Sequence, residues 1–248
     1  MKLADLDASL ATLLDPARMA DYCPNGLQVE GRAEVRTLVT GVTASLEFLR
    51  AAHAAGADAV LVHHGWFWKG EDPRVTGLRR ARIAFCLEHG LSLFAYHLPL
   101  DLHAELGNNA QLARRLGFVE EGRAGERDLV CHGRVAASGP LASVAEGIAR
   151  ALDRPPLVIG DATRPVARIA WCTGGAQGYF EDAIALGVDA YLTGEISEQH
   201  VHVARESGVA FIAAGHHATE RYGVQAVGAH LAAMHGLEHR FLDCPNPV

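Results

Sequence analysis

Five side chains of this sequence are of the types that bind divalent transition metals, and they are His63, His64, Asp101, His216 and Glu220. Imidazole nitrogen and carboxylate oxygen, without thiolate, suit Zn, Fe, Mn, Co or Ni better than Ca or Mg, which prefer oxygen alone. These donors are too few to saturate two ions, so water or an oxygen-rich substrate would complete the coordination. The residue types therefore indicate a metal site, and we expect it to hold two ions.

The C-terminal part of this set is a His-x-x-x-Glu sequence, His216 and Glu220, at the start of a predicted helix over 216–235. Residues four apart lie on one face of a helix, so both side chains can reach the same small volume. An ion pair at the start of the helix is the alternative interpretation, because acidic residues are favoured in a first turn.

The N-terminal part begins with His63-His64, which follows an apolar run that predicts a strand. Adjacent residues of a regular strand point to opposite faces, so both imidazoles can bind metal only where the strand ends. Gly65 follows and permits that break. A His-His pair alone is a weak signal, because histidine has many other roles. Asp101 alone is equally typical of a turn or a helix cap.

Two stretches of the chain resemble one another and indicate how these residues are positioned. Residues 56–64 read GADAVLVHH and residues 187–195 read GVDAYLTGE. Each follows a segment with a helical pattern, at 44–55 and at 177–186. The order strand, Gly turn, helix, Gly-x-Asp-Ala, strand is typical of a βαβ unit and occurs twice.

We therefore predict the α/β fold class, with two similar lobes from an internal duplication and mixed sheets flanked by helices. The first lobe covers 1–125 and is completed by C-terminal residues; the second covers 126–248. The join is the polar, Gly-rich stretch 119–128. Ligands of α/β folds collect at the carboxyl ends of the strands, so we expect the metal site in the cleft between the lobes. Further helices are expected at 108–116 and 141–152.

Composition excludes several classes of protein. A formal net charge of −7 argues against a surface that coats nucleic acid, which needs clustered Lys and Arg. No apolar run approaches the roughly 18 residues that span a bilayer, and the acidic N-terminus does not suit a signal peptide. The five cysteines are scattered and never form a C-x-x-C pair, which argues against a disulfide scaffold or a zinc ribbon. We expect a soluble, cytoplasmic protein.

Several motifs resemble those of the dinuclear-metal-centre hexameric proteins, a Nif-three-like family whose bacterial members are often called GTP cyclohydrolase I type 2 homologues. The motifs are DYCPNGLQVEG at 21–31, LVHHGWFWKG at 61–70, YHLPLDLHAELGNNAQLA at 96–113, GVDAYLTGE at 187–195 and GHHATER at 215–221. Their order and spacing extend the resemblance over almost the whole chain.

The resemblance implies a role for each residue. His63 and Asp101 would bind one ion, His64 and His216 the other, and Glu220 would bridge them. His97 would lie beside the pair, as an outer residue or a conditional ligand, and the roles of Glu195 and Asn108 stay open. The resemblance also implies a homohexameric ring whose sites face an internal cavity.

For function, the sequence leaves two hypotheses open. The first is a metal-dependent hydrolase acting on a nucleotide-like or phosphate-containing small molecule, with Glu220 and His97 as candidate catalytic residues. Trp66, Trp68 and Tyr96 could then stack on a base and Arg221 could meet a phosphate, although packing is the commoner use of tryptophan. No nucleotide-binding fingerprint is present. The alternative is a non-enzymatic metal-binding or scaffold protein. Direct nucleic-acid binding ranks below both because of the net charge.

Overall fold

The computed structural model describes residues 1–248, which form two compact units. Unit 1 consists of Met1–Gly107 and Gly223–Cys244, and unit 2 consists of Asn108–Tyr222 and Pro245–Val248. No helix in either unit is long and apolar enough to cross a membrane.

Helices and strands alternate along most of the chain. The helices are α1 (Leu3–Leu14), α2 (Leu46–Ala54), α3 (Gly77–His89), α4 (Leu98–Leu102), α5 (Asn108–Leu116), α6 (Leu141–Leu152), α7 (Phe180–Ala185), α8 (Glu198–Ser207) and α9 (His216–His235). The strands are β1 (Gly26–Val29), β2 (Thr37–Thr43), β3 (Ala59–His64), β4 (Ser92–Ala95), β5 (Phe118–Ala124), β6 (Val130–Pro140), β7 (Leu157–Ile159), β8 (Pro165–Trp171), β9 (Ala190–Thr193), β10 (Ala210–Ala213) and β11 (Glu238–Phe241).

Unit 1 contains a five-stranded mixed sheet in the order β1-β4-β3-β2-β11. Strands β11, β2, β3 and β4 are parallel, and β1 pairs with β4 in the antiparallel direction. The central strands β2, β3 and β4 are buried at almost every position because both faces of the sheet are covered. Leu61 and Phe94 face the core formed with α1 and the C-terminal part of α9, whereas Val60, Val62 and Leu93 face the core formed with α2 and α3.

Unit 2 contains a six-stranded mixed sheet in the order β5-β6-β8-β9-β10-β7. Its centre, β8-β9-β10, is parallel, and the outer strands are antiparallel to their neighbours. Trp171 and Ile212 are fully buried in its core. The predicted α/β class with two mixed sheets flanked by helices is confirmed.

The repeated Gly-x-Asp-Ala sequence performs the same task in both units. The Asp58 carboxylate accepts hydrogen bonds from the backbone N–H groups of Arg36 and Thr37, at 2.9 and 3.1 Å. The Asp189 carboxylate accepts from Ala167 and Arg168, both at 2.9 Å. Each aspartate therefore satisfies N–H groups near the start of a neighbouring parallel strand, which gives the repeated motif the same structural role in both units.

The helices predicted at 108–116, 141–152 and 216–235 match α5, α6 and α9. The polar stretch 119–128 differs from its predicted role as the join. It forms most of β5 and the turn that leads into β6, within unit 2. Glycine and charged residues are as typical of a hairpin turn as of a linker, which is why composition does not separate the two.

Candidate metal centre

His63 is the best-anchored donor of unit 1. Its side chain is fully buried at the end of β3, and its Nδ1 lies 3.0 Å from the carbonyl oxygen of Tyr96. A carbonyl can only accept a hydrogen bond, so Nδ1 carries a proton and Nε2 is the ring nitrogen that faces other partners. Nε2 lies 3.5 Å from Oδ1 of Asp101, which is itself 7% exposed. Asp101 therefore points to an imidazole and does not cap a helix.

His64 approaches His63 although the two residues are adjacent in a strand. β3 ends at His64, and the centroids of the two rings lie 4.6 Å apart. Gly65 permits the close packing that follows, since a Cβ atom there would lie 2.4 Å from the Cβ of Ala95. Nδ1 of His64 lies 3.1 Å from Oγ1 of Thr43 on the neighbouring strand β2, which orients the ring and leaves Nε2 for a ligand role.

His97 is oriented by a carboxylate. Its Nδ1 lies 2.8 Å from Oδ1 of Asp21, and its backbone N–H donates to Oδ1 of Asn25 at 2.7 Å. The other oxygen of Asp21 accepts from the backbone N–H of Leu98 and from Asn25. Burial, the largest influence, raises the pKa of Asp21, but the hydrogen bonds of His97, Asn25 and Tyr22 outweigh it and lower the pKa to about 2. Asp21 is therefore ionised at neutral pH.

The three imidazoles of unit 1 form one cluster. His63, His64 and His97 each offer a nitrogen atom, and these atoms lie within 4.8 Å of one another. A second group lies beside it, in which Sγ of Cys23, a carboxylate oxygen of Asp21 and a ring nitrogen of His97 lie within 4.8 Å of one another. Burial, and then the charge of Asp21, raises the pKa of the Cys23 thiol to about 12, so this sulfur is protonated at neutral pH in the metal-free protein.

The donors of unit 2 lie on the first two turns of α9. Nε2 of His216 is 3.2 Å from Oε2 of Glu220, and its Nδ1 is 2.6 Å from Oε1 of Glu195. Glu220 is 3% exposed. Burial, the largest influence, lowers the pKa of His216, but the hydrogen bonds and charges of Glu220 and Glu195 outweigh it and raise the pKa to about 9. The ring is therefore a cation at neutral pH in the metal-free state.

Glu220 occupies space that only a glycine leaves open. A Cβ atom on Gly174, in the loop after β8, would lie 2.0 Å from Oε1 of Glu220. The Gly174 N–H donates to Oγ1 of Thr219 at 3.0 Å, and its carbonyl accepts from Thr193 at 3.0 Å. The loop and the first turn of α9 are thereby held together, which fixes the direction of the Glu220 carboxylate.

The donor chemistry of each unit fits divalent transition metals. Unit 1 offers three imidazoles and the Asp101 carboxylate, and unit 2 offers His216 and the Glu220 carboxylate. Each of the four histidines has its Nδ1 engaged by an oxygen atom, so Nε2 is the ring nitrogen available to a metal. Metal-binding histidines are held in this way by the partner of the second ring nitrogen.

The structure excludes base stacking on two of the three aromatic residues named for it, and for Trp66 it agrees with packing, the commoner role of tryptophan. Tyr96 is fully buried, and Trp66 is 5% exposed with its Nε1 donating to the Ala44 carbonyl at 3.0 Å, so both pack in the core. Arg221 donates to the Leu152 carbonyl at 2.9 Å and packs on the ring of Tyr222. Of the three aromatic residues expected to stack on a base, only Trp68 keeps a half-exposed ring.

Sequence reasoning missed the residues that orient the histidines. Asp21 and Thr43 carry no signal of their own, because a carboxylate or hydroxyl near a turn is common. Glu195 differs from them, because it ends both the repeated segment and the family motif at 187–195, but neither pattern predicts its contact with His216. The DYCPNGLQVEG motif at 21–31 contains both Asp21 and Asn25, which explains what part of that motif does.

Comparison with known proteins assigns the chain to a family. The family model described as Duf34/NIF3 (NGG1p interacting factor 3) matches residues 1–247. The chain belongs to this family. The motifs that indicated the Nif-three-like resemblance thus belong to a match along nearly the whole sequence.

Relatives and solved structures of this family are similar along their full length. A Pseudomonas aeruginosa protein named GTP cyclohydrolase 1 type 2 homolog is 60% identical, over 95% of this chain and 94% of its own. A solved structure described as protein ybgI, of unknown function, is 48% identical with a TM-score of 0.97, and both chains are covered completely. A crystal structure of a Thermus thermophilus protein is 34% identical with a TM-score of 0.90, again over both whole chains.

Proposed function

We propose that the protein binds two divalent transition-metal ions through His63, His64, Asp101, His216 and Glu220, and uses them to hydrolyse a nucleotide-like or phosphate-containing small molecule. One observation carries the proposal. Every imidazole of the two donor groups is anchored through Nδ1, by an oxygen of Tyr96, Thr43, Asp21 or Glu195. Such anchoring orients the ring and aims Nε2, which a histidine that serves only in packing does not need.

Different residues of the chain have different roles in this hydrolysis. Two such ions supply Lewis acidity and ionise water near neutral pH. Glu220, held by the Gly174 loop, offers a second carboxylate oxygen that can accept a proton. His97, anchored by Asp21, presents Nε2 to the imidazole cluster and can bind an ion or exchange a proton with substrate. The names of the relatives, GTP cyclohydrolase 1 type 2 homologs, support a nucleotide as substrate.

Metal analysis tests the first half of the proposal. Protein purified without chelator should contain about two transition-metal ions per chain, and His63→Ala or His216→Ala should lower that content. The chain offers a matched control, because His202 and Glu198 form an i,i+4 pair on the exposed face of α8, at 3.0 Å. His202→Ala should leave the metal content unchanged. A wild-type protein without metal would contradict the proposal.

Hydrolysis tests the second half. The metal-loaded protein is screened against GTP, nucleotide esters and oligonucleotides, and Glu220→Gln is compared with Glu198→Gln. We expect one substrate class to be hydrolysed, and only Glu220→Gln to abolish the reaction. Two bound ions without hydrolysis of any class would instead favour the non-enzymatic metal-binding protein.

We also propose a homohexamer, which the family resemblance implies. Native mass spectrometry of the metal-loaded protein should give six times the 26.5 kDa of the chain. A monomer at micromolar concentration would refute the assembly without affecting the metal centre.

A further inference from the structure

The segment that follows His64 lines an open cavity of about 470 Å³ within unit 1. Pockets of roughly 300–1,000 Å³ are typical of sites for small molecules. The charged and aromatic residues of its lining include Trp66, Trp68, Glu71, Asp72, Arg74, Arg79 and Arg82. None of the five proposed metal ligands lines the cavity, so its chemistry can be considered separately from that of the metals.

Trp68 lines the cavity and also contacts the histidine cluster of unit 1. Its ring meets His97 edge to face, with centroids 4.9 Å apart, and lies 6.0 Å from the ring of His64. The indole is half-exposed, and its backbone N–H is held by Glu71 at 3.3 Å. A fixed, partly exposed indole beside a cavity is a platform for a planar ring, since every aromatic heterocycle has a face that can stack.

The two acidic residues of the lining are already neutralised. Arg79 donates to Glu71 at 2.6 Å and to the backbone carbonyl of Asp72, and its guanidinium lies 5.7 Å from the ring of Phe67. Arg74 donates to the Asp72 carboxylate at 2.8 Å. These pairs connect the loop of residues 71–74 to α3. Neither carboxylate is left to pair with the third arginine of the lining.

Arg82 is that third arginine. It lies three residues after Arg79 on α3, so both side chains are on the same face of the helix. Arg82 is half-buried and forms no ion pair, and three arginines against two acids leave the cavity one positive charge. A guanidinium is suited to bind a phosphate through two parallel hydrogen bonds.

We propose that this cavity binds a planar heteroaromatic ring that carries a phosphate, with the ring on Trp68 and the phosphate at Arg82. The inference rests on the proposed function, because it names the substrate class of the same centre. A ligand held in this way has its ring beside His64 and His97, where a bond of the ring or of its substituents could be hydrolysed.

The test measures binding to the metal-free protein, so it does not depend on activity. Isothermal titration calorimetry with AMP and GMP, after removal of metal by chelator, should detect binding. Adenosine lacks the anion and ribose 5-phosphate lacks the ring, and each should bind about tenfold or more weakly than the monophosphates. A nucleoside that binds as tightly as its monophosphate would overturn the role of Arg82.

Variants assign the binding to the cavity. Trp68→Leu and Arg82→Gln should each weaken AMP or GMP binding by about tenfold, since each removes one of the two contacts. Trp68→Phe should retain most of the affinity. The matched control is Arg80→Gln, an exposed arginine of the same helix that does not line the cavity. An equal loss in Arg80→Gln, or no loss in Arg82→Gln, would overturn the inference.

The failure of this inference and that of the proposed function are distinguishable. Trp68→Leu and Arg82→Gln should bind the same number of metal ions as the wild type. If the wild type binds two ions and no nucleotide, the inference about the cavity is wrong and the metal centre survives. If it binds nucleotides through Trp68 but takes up no metal, the inference about the cavity survives and the proposed hydrolase does not.

Discussion

Gly174 and Glu220 occupy positions that exclude any side chain at residue 174, because a Cβ atom there would lie 2.0 Å from Oε1 of the glutamate. Gly174 also has a φ of 72°, in the left-handed region that favours glycine. The loop after β8 therefore packs directly against the start of α9, and it can do so only with glycine at position 174. The carboxylate can hold its direction only while this loop lacks a side chain.

Gly174→Ala should accordingly lower metal affinity and stability together. The backbone conformation alone costs about 1–2 kcal/mol with alanine, and the added methyl group displaces the Glu220 carboxylate. Metal content by elemental analysis and the midpoint of thermal unfolding are the two measurements. Gly178→Ala is the matched control, because a Cβ atom there would meet nothing within 4 Å. Full metal content in Gly174→Ala would show that Glu220 is not a ligand.

Asp21→Asn should weaken metal binding although Asp21 is not among the five proposed ligands. The carboxylate holds Nδ1 of His97 at 2.8 Å and accepts from the backbone N–H of Leu98 at 2.9 Å. Loss of such an outer partner typically costs about 10–100-fold in metal affinity. Competition with a chromophoric chelator measures the change, and Asp5→Asn on the exposed face of α1 is the control. Unchanged affinity would mean that His97 lies outside the centre.

The two carboxylates beside His216 predict a pH dependence of folding in the metal-free protein. Its pKa of about 9 in the folded state lies above the ordinary value of 6.5. The folded protein therefore holds a proton that the unfolded chain releases, and this stabilisation is complete below about pH 6.5 and is lost as the pH rises through about 9. Thermal unfolding across this range should show a steeper decline in the wild type than in Glu195→Gln. Equal slopes would contradict the assigned partners.

Metal affinity should also depend on the protonation of His216, and it should rise with pH where the stability of the metal-free protein falls. A metal ligand must be a neutral imidazole, so an ion that binds His216 at pH 7 displaces its proton. We expect proton release on metal addition, and an apparent affinity that rises up to about pH 9. Calorimetry in two buffers of different ionisation enthalpy counts the protons. Binding without proton release would exclude His216 as a ligand.

The sequence predicts the helices and strands of this protein better than it predicts the contacts within the candidate metal centre. Helices α5, α6 and α9 lie where the sequence predicts helices, and the βαβ segments follow from the repeated Gly-x-Asp-Ala motif. The ends of these elements place the five candidate ligands. By contrast, Asp21 lies 76 residues from His97, and no local pattern predicts a hydrogen bond over that separation. The burial of Tyr96 and Trp66 is likewise set by tertiary packing and not by residue type.

The equivalence of Asp58 and Asp189 can be tested without metal. Each carboxylate accepts two backbone hydrogen bonds near the start of a parallel strand, in its own unit. Asp58→Ala and Asp189→Ala each leave these N–H groups without that partner, at an expected cost of about 1–3 kcal/mol. Urea denaturation measures the free energy of unfolding. Because neither residue is among the candidate ligands, metal content should be preserved in both variants. Two similar losses of stability would support a common origin of the two units, whereas a loss in only one would mean that the repeated motif has kept its structural role in a single copy.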